Sequence, residues 1–383
     1  MNPRDYTKDF SLKSQHTWFN VASEGPLPKV AVNALQEAIE WKKAPHLLTI
    51  AKFQQVPVEL KKTIARLINV DWHDVILGNS ATYGLHLLAN GLEFKAGDEI
   101  ILLQNDFPTD ILPWLSLQQK GVIVHQLKAR EHVLTPLEIE KAINGRTKLV
   151  CLPLIHSFTG FKQDIKAIGK LCRSQGILCV VNLSQATGAF EIDLGLWEVD
   201  AVICAGYKWL LGPYGTGFCW IRKEARERLN YAHNYWVSLM DEKSLSSEGP
   251  INLKEDHSAR RYDVFGTANF FNYVPWRVSM EYLLSIGLDK VNKHNQMLVD
   301  QMVDGLDQRC FDLLSPRPQK DRTNIMVFSY KDASQNPRLF EFLREEGFYL
   351  ALWRNKLRLS PHIYNTPQEI KGLLKALNQY APK

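Results

Sequence analysis

Short apolar runs alternate with stretches of helical spacing through the first half of the chain. Residues 75–77, 99–103, 122–127, 149–155, 178–182 and 201–204 are apolar runs of strand length. Between them, apolar positions recur with helical spacing over residues 81–90, 109–119, 136–143 and 165–175. Near-continuous apolar strands separated by amphipathic helices predict a mostly parallel sheet covered on both faces, an α/β architecture. Leu27-Pro28, followed by an Ala/Val/Leu pattern to Trp41, predicts an earlier helix with proline near its start. Residues 217–222 predict one more strand after a glycine turn.

The pattern changes after Lys223. Residues 223–247 are charged and aromatic without a clear period. Helices are predicted over 274–286 and 289–306, then a strand at 325–329 and a helix at 337–346. Strands at 349–352 and 357–360 and a closing helix at 367–377 complete the chain. A chain of 383 residues is too long for one simple core. The reading divides it into a large domain, 31–285, and a smaller α+β C-terminal domain, 286–383, with residues 1–30 associated with the small lobe.

In such sheets ligands bind beyond the carboxyl ends of the strands. The chemically distinctive residues sit there. Lys208 follows the run 201–204 and opens the glycine-rich stretch Lys208-Trp-Leu-Leu-Gly-Pro-Tyr-Gly-Thr-Gly217. A lysine at the end of a buried strand is costly unless its amine is used. The common use is a Schiff base to a carbonyl cofactor, favoured when burial lowers the amine's pKa. Upstream, strand 75–77 meets Gly78-Asn-Ser80 and then a helix. Free backbone N–H groups and the positive end of the helix dipole make Ser80, Ala81 and Thr82 an anion site. Ser80 also suits a helix N-cap, and the two roles are compatible. Gly212-x-x-Gly215-x-Gly217 is not a dinucleotide-binding turn, because Pro213 and the following strand do not open a helix.

These residues, in this order, resemble the class V aminotransferase family, fold type I of the pyridoxal-phosphate enzymes. The family includes cysteine desulfurases, selenocysteine lyases and isopenicillin N epimerase-like proteins. The resemblance covers most of the chain. It implies a fold type I aminotransferase-like architecture and pyridoxal 5′-phosphate as cofactor. Lys208 falls on the Schiff-base lysine, which also serves as general base. Gln185, in Asn182-Leu-Ser-Gln185, falls on the glutamine that bonds the cofactor's phenolic oxygen. Ser80-Ala-Thr82 falls on the phosphate-binding turn. Phe107-Pro-Thr-Asp-Ile-Leu-Pro-Trp114 resembles a segment of the epimerase-like branch. Thr267, after Gly266, falls on a residue that reaches the partner subunit's cofactor phosphate, which implies a homodimer with the site at the subunit interface. Arg358, in Arg358-Leu-Ser-Pro-His-Ile-Tyr-Asn365, falls on the arginine that holds the substrate carboxylate. Arg354 is a competing candidate. The implied substrate is an amino acid, changed at its α-carbon or β-substituent by an epimerase-, lyase- or aminotransferase-type reaction.

The sequence departs from the family at three places. Asn182 stands where an aspartate keeps the ring nitrogen protonated, and an asparagine does not stabilise that charge. Together with Leu154 at the ring-stacking position, this motivates the alternative reading of a catalytically weakened or inactive ligand-binding member of the fold. The ring-stacking histidine, counted back from Gly160, aligns with Leu154, while His156, one step further along the strand, is an alternative. Ala205 and Tyr207 replace the Ser and His that flank the lysine, and only Tyr207 can donate a side-chain hydrogen bond to the phosphate.

Composition adds exclusions. The net charge of +5 comes without blocks of like charge, so no nucleic-acid surface is indicated. No run approaches the ~20 apolar residues of a membrane span, and the polar N-terminus lacks a signal core. The six cysteines form no CxxC pair, and no metal site is expected. They read as reduced thiols of a cytoplasmic protein. None lies between Asp321 and Arg358, where a persulfide-forming desulfurase carries its reactive cysteine.

Overall fold

The structure, a computed structural model, describes residues 5–12, 15–130, 132–240, 242–251, 258–267 and 269–380. Its centre is a seven-stranded sheet: β1 (Val75–Gly78), β2 (Glu99–Leu103), β3 (Ile123–Leu127), β4 (Thr147–Pro153), β5 (Leu178–Asn182), β6 (Ala201–Ala205) and β7 (Gly217–Ile221). The spatial order is β1-β7-β6-β5-β4-β2-β3. β7 runs antiparallel to both neighbours, and the other pairings are parallel. Every residue of β2, β5, β6 and β7 is buried, as their unbroken apolar runs require of strands covered on both faces.

A second, antiparallel sheet is built from β8 (Phe311–Leu313), β9 (Met326–Tyr330), β10 (Ala351–Trp353) and β11 (Lys356–Leu359). It has its own core, with Phe311, Phe328, Leu339, Leu357 and Leu373 buried together. The molecule is therefore α/β, with a mostly parallel sheet and a smaller antiparallel one. The segment 17–25 ties the two together. Thr17–Trp18 pairs with Phe348–Tyr349, Asn20 bridges to Ser360, and the Gly25 amide donates to the Tyr207 carbonyl at 2.8 Å.

Helices pack where the apolar spacing places them. α1 (Lys29–Lys43) and α2 (Ile50–Ile68) lie against α4 (Phe270–Ile286), and α3 (Ala81–Gly91) lies on β6 and β7. The pattern assigns no helix to α2, whose interior Pro57 is buried. The stretch 109–119, predicted as one helix, is instead a 3-10 turn at Pro108–Asp110, a single helical turn at Leu112–Leu115 and a 3-10 stretch at Ser116–Lys120. Pro108 and Pro113 are each tolerated at the start of a turn, so the segment breaks between them. That break sets Asp110 at the end of the sheet. Among the described residues, no helix is long and apolar enough to cross a membrane.

Candidate active site

Beyond the carboxyl ends of the parallel strands lies a narrow cavity. Phe107, Asp110, Pro153, Ile155, Ser157, Asn182, Ser184, Gln185 and Lys208 line it. Each comes from a strand end or the loop after it, as the topology dictates. Lys208 is buried, and its Nζ makes no hydrogen bond or ion pair among the described residues. Its main chain is fixed by close approach to the N-terminal segment: a Cβ on Gly25 would fall 2.2 Å from the Lys208 carbonyl oxygen. The ring of Phe107 is centred 5.2 Å from Nζ. Burial, reinforced by the positive charge of Arg358, lowers the amine's pKa to about 8, against the opposing pull of Asp110, Cys204 and Glu24. A useful fraction of Lys208 is thus neutral near physiological pH.

Asn182 ends β5, where the chain leaves the sheet. Its Oδ1 accepts from the Ser184 amide at 2.8 Å. Its Nδ2 donates to both oxygens of Asp110, at 2.8 and 3.0 Å. The Ser184 contact fixes which end of the carboxamide faces Asp110. Asp110 is 2% exposed, and burial raises its pKa, while the Asn182 amide and the Lys208 charge hold it down. Nearby Asp106 is pushed well up by burial and by the charge of Asp110.

Gln185 accepts from the Trp209 indole N–H at 2.7 Å and donates to the Ala22 carbonyl at 3.0 Å. Its remaining contact, to Ser157 Oγ, is a long 3.4 Å, so one amide proton is only loosely engaged. Arg358, on β11, is buried behind Ser157. Its guanidinium donates to the Ser157 carbonyl at 3.0 Å, to Asn20 Oδ1 at 3.2 Å and to Ser23 Oγ at 2.6 Å. Its Nε has no partner, and no acidic side chain pairs with it among the described residues. Burial lowers its pKa to about 10, which leaves it charged at neutral pH. Arg354 lies elsewhere: it stacks 3.9 Å from the Phe158 ring and donates to the Asn105 carbonyl at 2.7 Å.

Ser80 caps α3, its Oγ accepting from the Tyr83 amide at 3.3 Å, and Ala81 and Thr82 form the first turn. The hydroxyls of Thr82 and Thr109 are 3.1 Å apart, which joins this helix terminus to the segment carrying Asp110. Gly217 permits a close approach there, since a Cβ on it would lie 2.6 Å from the Ser80 carbonyl carbon. Tyr207 is half-buried against Tyr214, with ring centres 4.5 Å apart, and burial pushes its phenol up to about 12, so it stays a neutral donor.

Of the expected residues, Lys208, Asn182 and Gln185 line the cavity itself, and Leu154, His156 and Thr267 are engaged elsewhere. Strand alternation turns Pro153, Ile155 and Ser157 toward it and Leu154 and His156 away. Leu154 lines a separate groove with Gln163 and Phe190. His156 is engaged by Thr159 Oγ1 at 2.8 Å and the Asn105 carbonyl at 3.3 Å, and burial lowers its pKa to about 4. Thr267 is buried beside the Lys61–Asp263 ion pair, which closes at 2.8 Å, in a groove also lined by Trp72 and Met240. His362 and Tyr364 stack in the core behind Trp209. Conversely, no motif singled out Asp110 or Thr109 for a role of its own, while Ile155 and Ser157 fall in the strand-end stretch 154–159. The available signal for Asp110 was a carboxylate in an otherwise apolar turn at a strand's end.

The chain is similar to known proteins over nearly its whole length. The sequence profile of the aminotransferase class-V family matches residues 18–352. A probable cysteine desulfurase of Methanothermobacter thermautotrophicus is 26% identical, covering 100% of this chain and 98% of that protein. An uncharacterised aminotransferase of Bacillus subtilis, YcbU, is 24% identical over 100% of this chain and 98% of its own. Among solved structures, the cystine C–S lyase C-DES in complex with its product cysteine persulfide superposes with a TM-score of 0.87 at 22% identity, covering 96% of this chain and 99% of that one. A K223A mutant of C-DES, with glycine covalently linked to its pyridoxal-phosphate cofactor, gives a TM-score of 0.89 at 21% identity over 99% and 100%. With the family profile spanning nearly its whole length, the chain belongs to the class V aminotransferase family of pyridoxal-phosphate enzymes.

Proposed function

We propose that this protein carries pyridoxal 5′-phosphate on Lys208 and acts as a lyase on the β-substituent of a small sulfur-bearing amino acid, releasing the sulfur product directly. The observation that carries the reading is the pair Lys208 and Arg358. Lys208 lines the cavity and Arg358 lies buried behind Ser157, near enough for its charge to act on the amine, and the Arg358 Nε has no partner. Buried charges without partners are costly, so such a site is built for an anionic guest.

The residues present fit the cofactor. Lys208 offers a neutral amine to its aldehyde carbon. Ser80, Ala81 and Thr82 at the α3 terminus, with Thr109 and Tyr207, suit its phosphate. Gln185 has an amide proton for the phenolic oxygen, Phe107 can cover the ring, and Asn182 stands at the ring-nitrogen position of the family. Bound there, the cofactor supplies the electron sink that makes the substrate's α-hydrogen acidic. Arg358 holds the substrate carboxylate, which suits the unpaired edge of its guanidinium. The freed Lys208 amine, with a pKa of about 8, takes the α-proton and can pass it to the departing sulfur. Phe107 and Ile155 keep water from the reacting face. The Cβ–S bond breaks, and with water the carbon skeleton leaves as pyruvate and ammonium.

The thiols support direct release. Cys151, Cys172, Cys179, Cys204 and Cys219 are buried, burial pushes up the thiols of Cys151, Cys204 and Cys219, and the half-buried Cys310 packs against the core of the small sheet and does not line the cavity. A persulfide relay needs an accessible thiol of low pKa. The reading also takes the protein as a cytoplasmic homodimer in which Thr267 serves the partner's phosphate site; a solution mass of one chain would contradict the dimer. The activity test is product stoichiometry with cystine and with cysteine. The expected result is pyruvate and ammonium in equal amounts with the sulfur product in solution, abolished in Lys208→Ala. Sulfur bound to the protein, or a racemised or transaminated substrate without sulfur release, would contradict it.

A further inference from the structure

An asparagine at position 182 leaves the ring-nitrogen end of the cofactor site without its own carboxylate. The structure places another one there, from a different element. Asp110 comes from the broken turn after β2, and Asn182 from the end of β5, 72 residues later. The two side chains meet at the cavity that also holds Lys208. We propose that Asp110, anchored by the Asn182 amide, supplies the negative charge that keeps the cofactor's ring nitrogen protonated. The inference rests on the reading that Lys208 carries pyridoxal phosphate.

Three features support it. First, the Asn182 carboxamide is fully committed as an anchor. Its oxygen is held by the Ser184 amide and its nitrogen bridges both oxygens of Asp110. Asn182 therefore fixes the carboxylate's position and orientation. Second, that amide nitrogen is the only side-chain hydrogen-bond donor to Asp110 among the described residues. A carboxylate oxygen accepts two hydrogen bonds, so lone pairs remain for a cationic N–H. Third, Asp110 has no ion-pair partner of its own within 4 Å among the described residues, although it is buried. The Lys208 charge acts on Asp110 only from beyond ion-pair distance, and a protonated ring nitrogen in contact would be its direct counter-charge. Burial raises the pKa of Asp110, and the arrival of that cation favours its ionised form.

The arrangement also explains how position 182 can be an asparagine in a member of this family. The charge has moved one side chain away, and the hydrogen bond between the two positions is retained. Asp110 is thus a cofactor-contacting residue in this proposal, and Asn182 is a positioning residue.

The test uses the full-length protein loaded with pyridoxal phosphate labelled with 15N in the ring. Borohydride trapping on a parallel sample first establishes that Lys208 carries the label. The 15N resonance, calibrated against free cofactor in acid and in base, then reports whether the nitrogen is protonated. The expected result at neutral pH is a protonated nitrogen in the wild type and an unprotonated one in Asp110→Asn. The dissociation constant for the cofactor should rise roughly ten- to a hundredfold in that variant, as for loss of a charge-assisted hydrogen bond. The exchanged pair Asp110→Asn with Asn182→Asp should restore both readings, which a purely structural role for Asp110 does not predict. Asp110→Ser, which still accepts from Asn182, replaces the asparagine variant if that fails to fold. An unprotonated nitrogen in loaded wild type, or a protonated one in loaded Asp110→Asn, overturns the role of Asp110 alone. Failure of the wild type to load on Lys208 overturns the parent reading and this one with it.

Discussion

Arg358 is the side chain whose chemistry is least complete without a substrate. It spends its terminal nitrogens on Ser157, Asn20 and Ser23 and leaves Nε open. These neutral partners orient the guanidinium and do not neutralise it. A carboxylate arriving at that edge gains a charge-assisted bond in a site shielded from water. Arg358→Ala should therefore raise KM for the amino acid by roughly ten- to a hundredfold, the range for removing a hydrogen bond to a charged group. The corresponding amine without its carboxylate should react equally poorly with both proteins. Steady-state kinetics with the acid and the amine checks this; equal KM values for the acid in both proteins would contradict it. Gln185 differs from Arg358, because Trp209 and Ala22 already hold it in place.

At the scale of elements, the site is made by strand ends brought side by side. β7 returns antiparallel between β1 and β6, and Gly217 at its start touches the cap of α3. A methyl at Gly217 must displace the Ser80 main chain, since its Cβ would fall 2.6 Å from Ser80 backbone carbon. Backbone cannot yield as a flexible side chain can, so the α3 terminus must shift. Gly217→Ala should weaken cofactor affinity by roughly tenfold while the protein still folds, the cost of a local overpacking. Fluorescence titration with pyridoxal phosphate, read beside the melting temperature, measures both; unchanged affinity would remove α3 from the phosphate site. Much of this level was legible in the sequence. β2 and β5 begin and end where their apolar runs do, because strands buried on both faces have no polar alternation to blur their limits. α2 was not legible, because Pro57 interrupts its pattern although the helix tolerates it. β8, three residues long, is too short to leave a period. Asp110 escaped for another reason. Its meaning lies in a contact to Asn182 across 72 residues, and no local pattern encodes that. The alignment counted back from Gly160 misled just past β4, where alternation turns Ile155 toward the cavity and Leu154 and His156 together away from it.

The whole molecule gathers its chemistry where the two sheets and the N-terminal segment meet. The large sheet contributes Lys208, Asn182, Asp110 and Gln185, the small sheet contributes Arg358, and segment 17–25 closes against Tyr207 and Gln185. Burial between these parts lowers the pKa of Lys208 to about 8. Only the neutral amine attacks a carbonyl, so cofactor loading should quicken as pH rises toward 8 and level off above it. The inactive alternative rested on Asn182 and Leu154, and the proposed role of Asp110 answers the first of them. The proposed chemistry depends on Lys208. The direct measurement is borohydride reduction of the purified protein loaded with pyridoxal phosphate, followed by mapping of the modified peptide. A single stable pyridoxyl group on Lys208, absent from Lys208→Ala, is the predicted result. A group on any other lysine, or none, would contradict it.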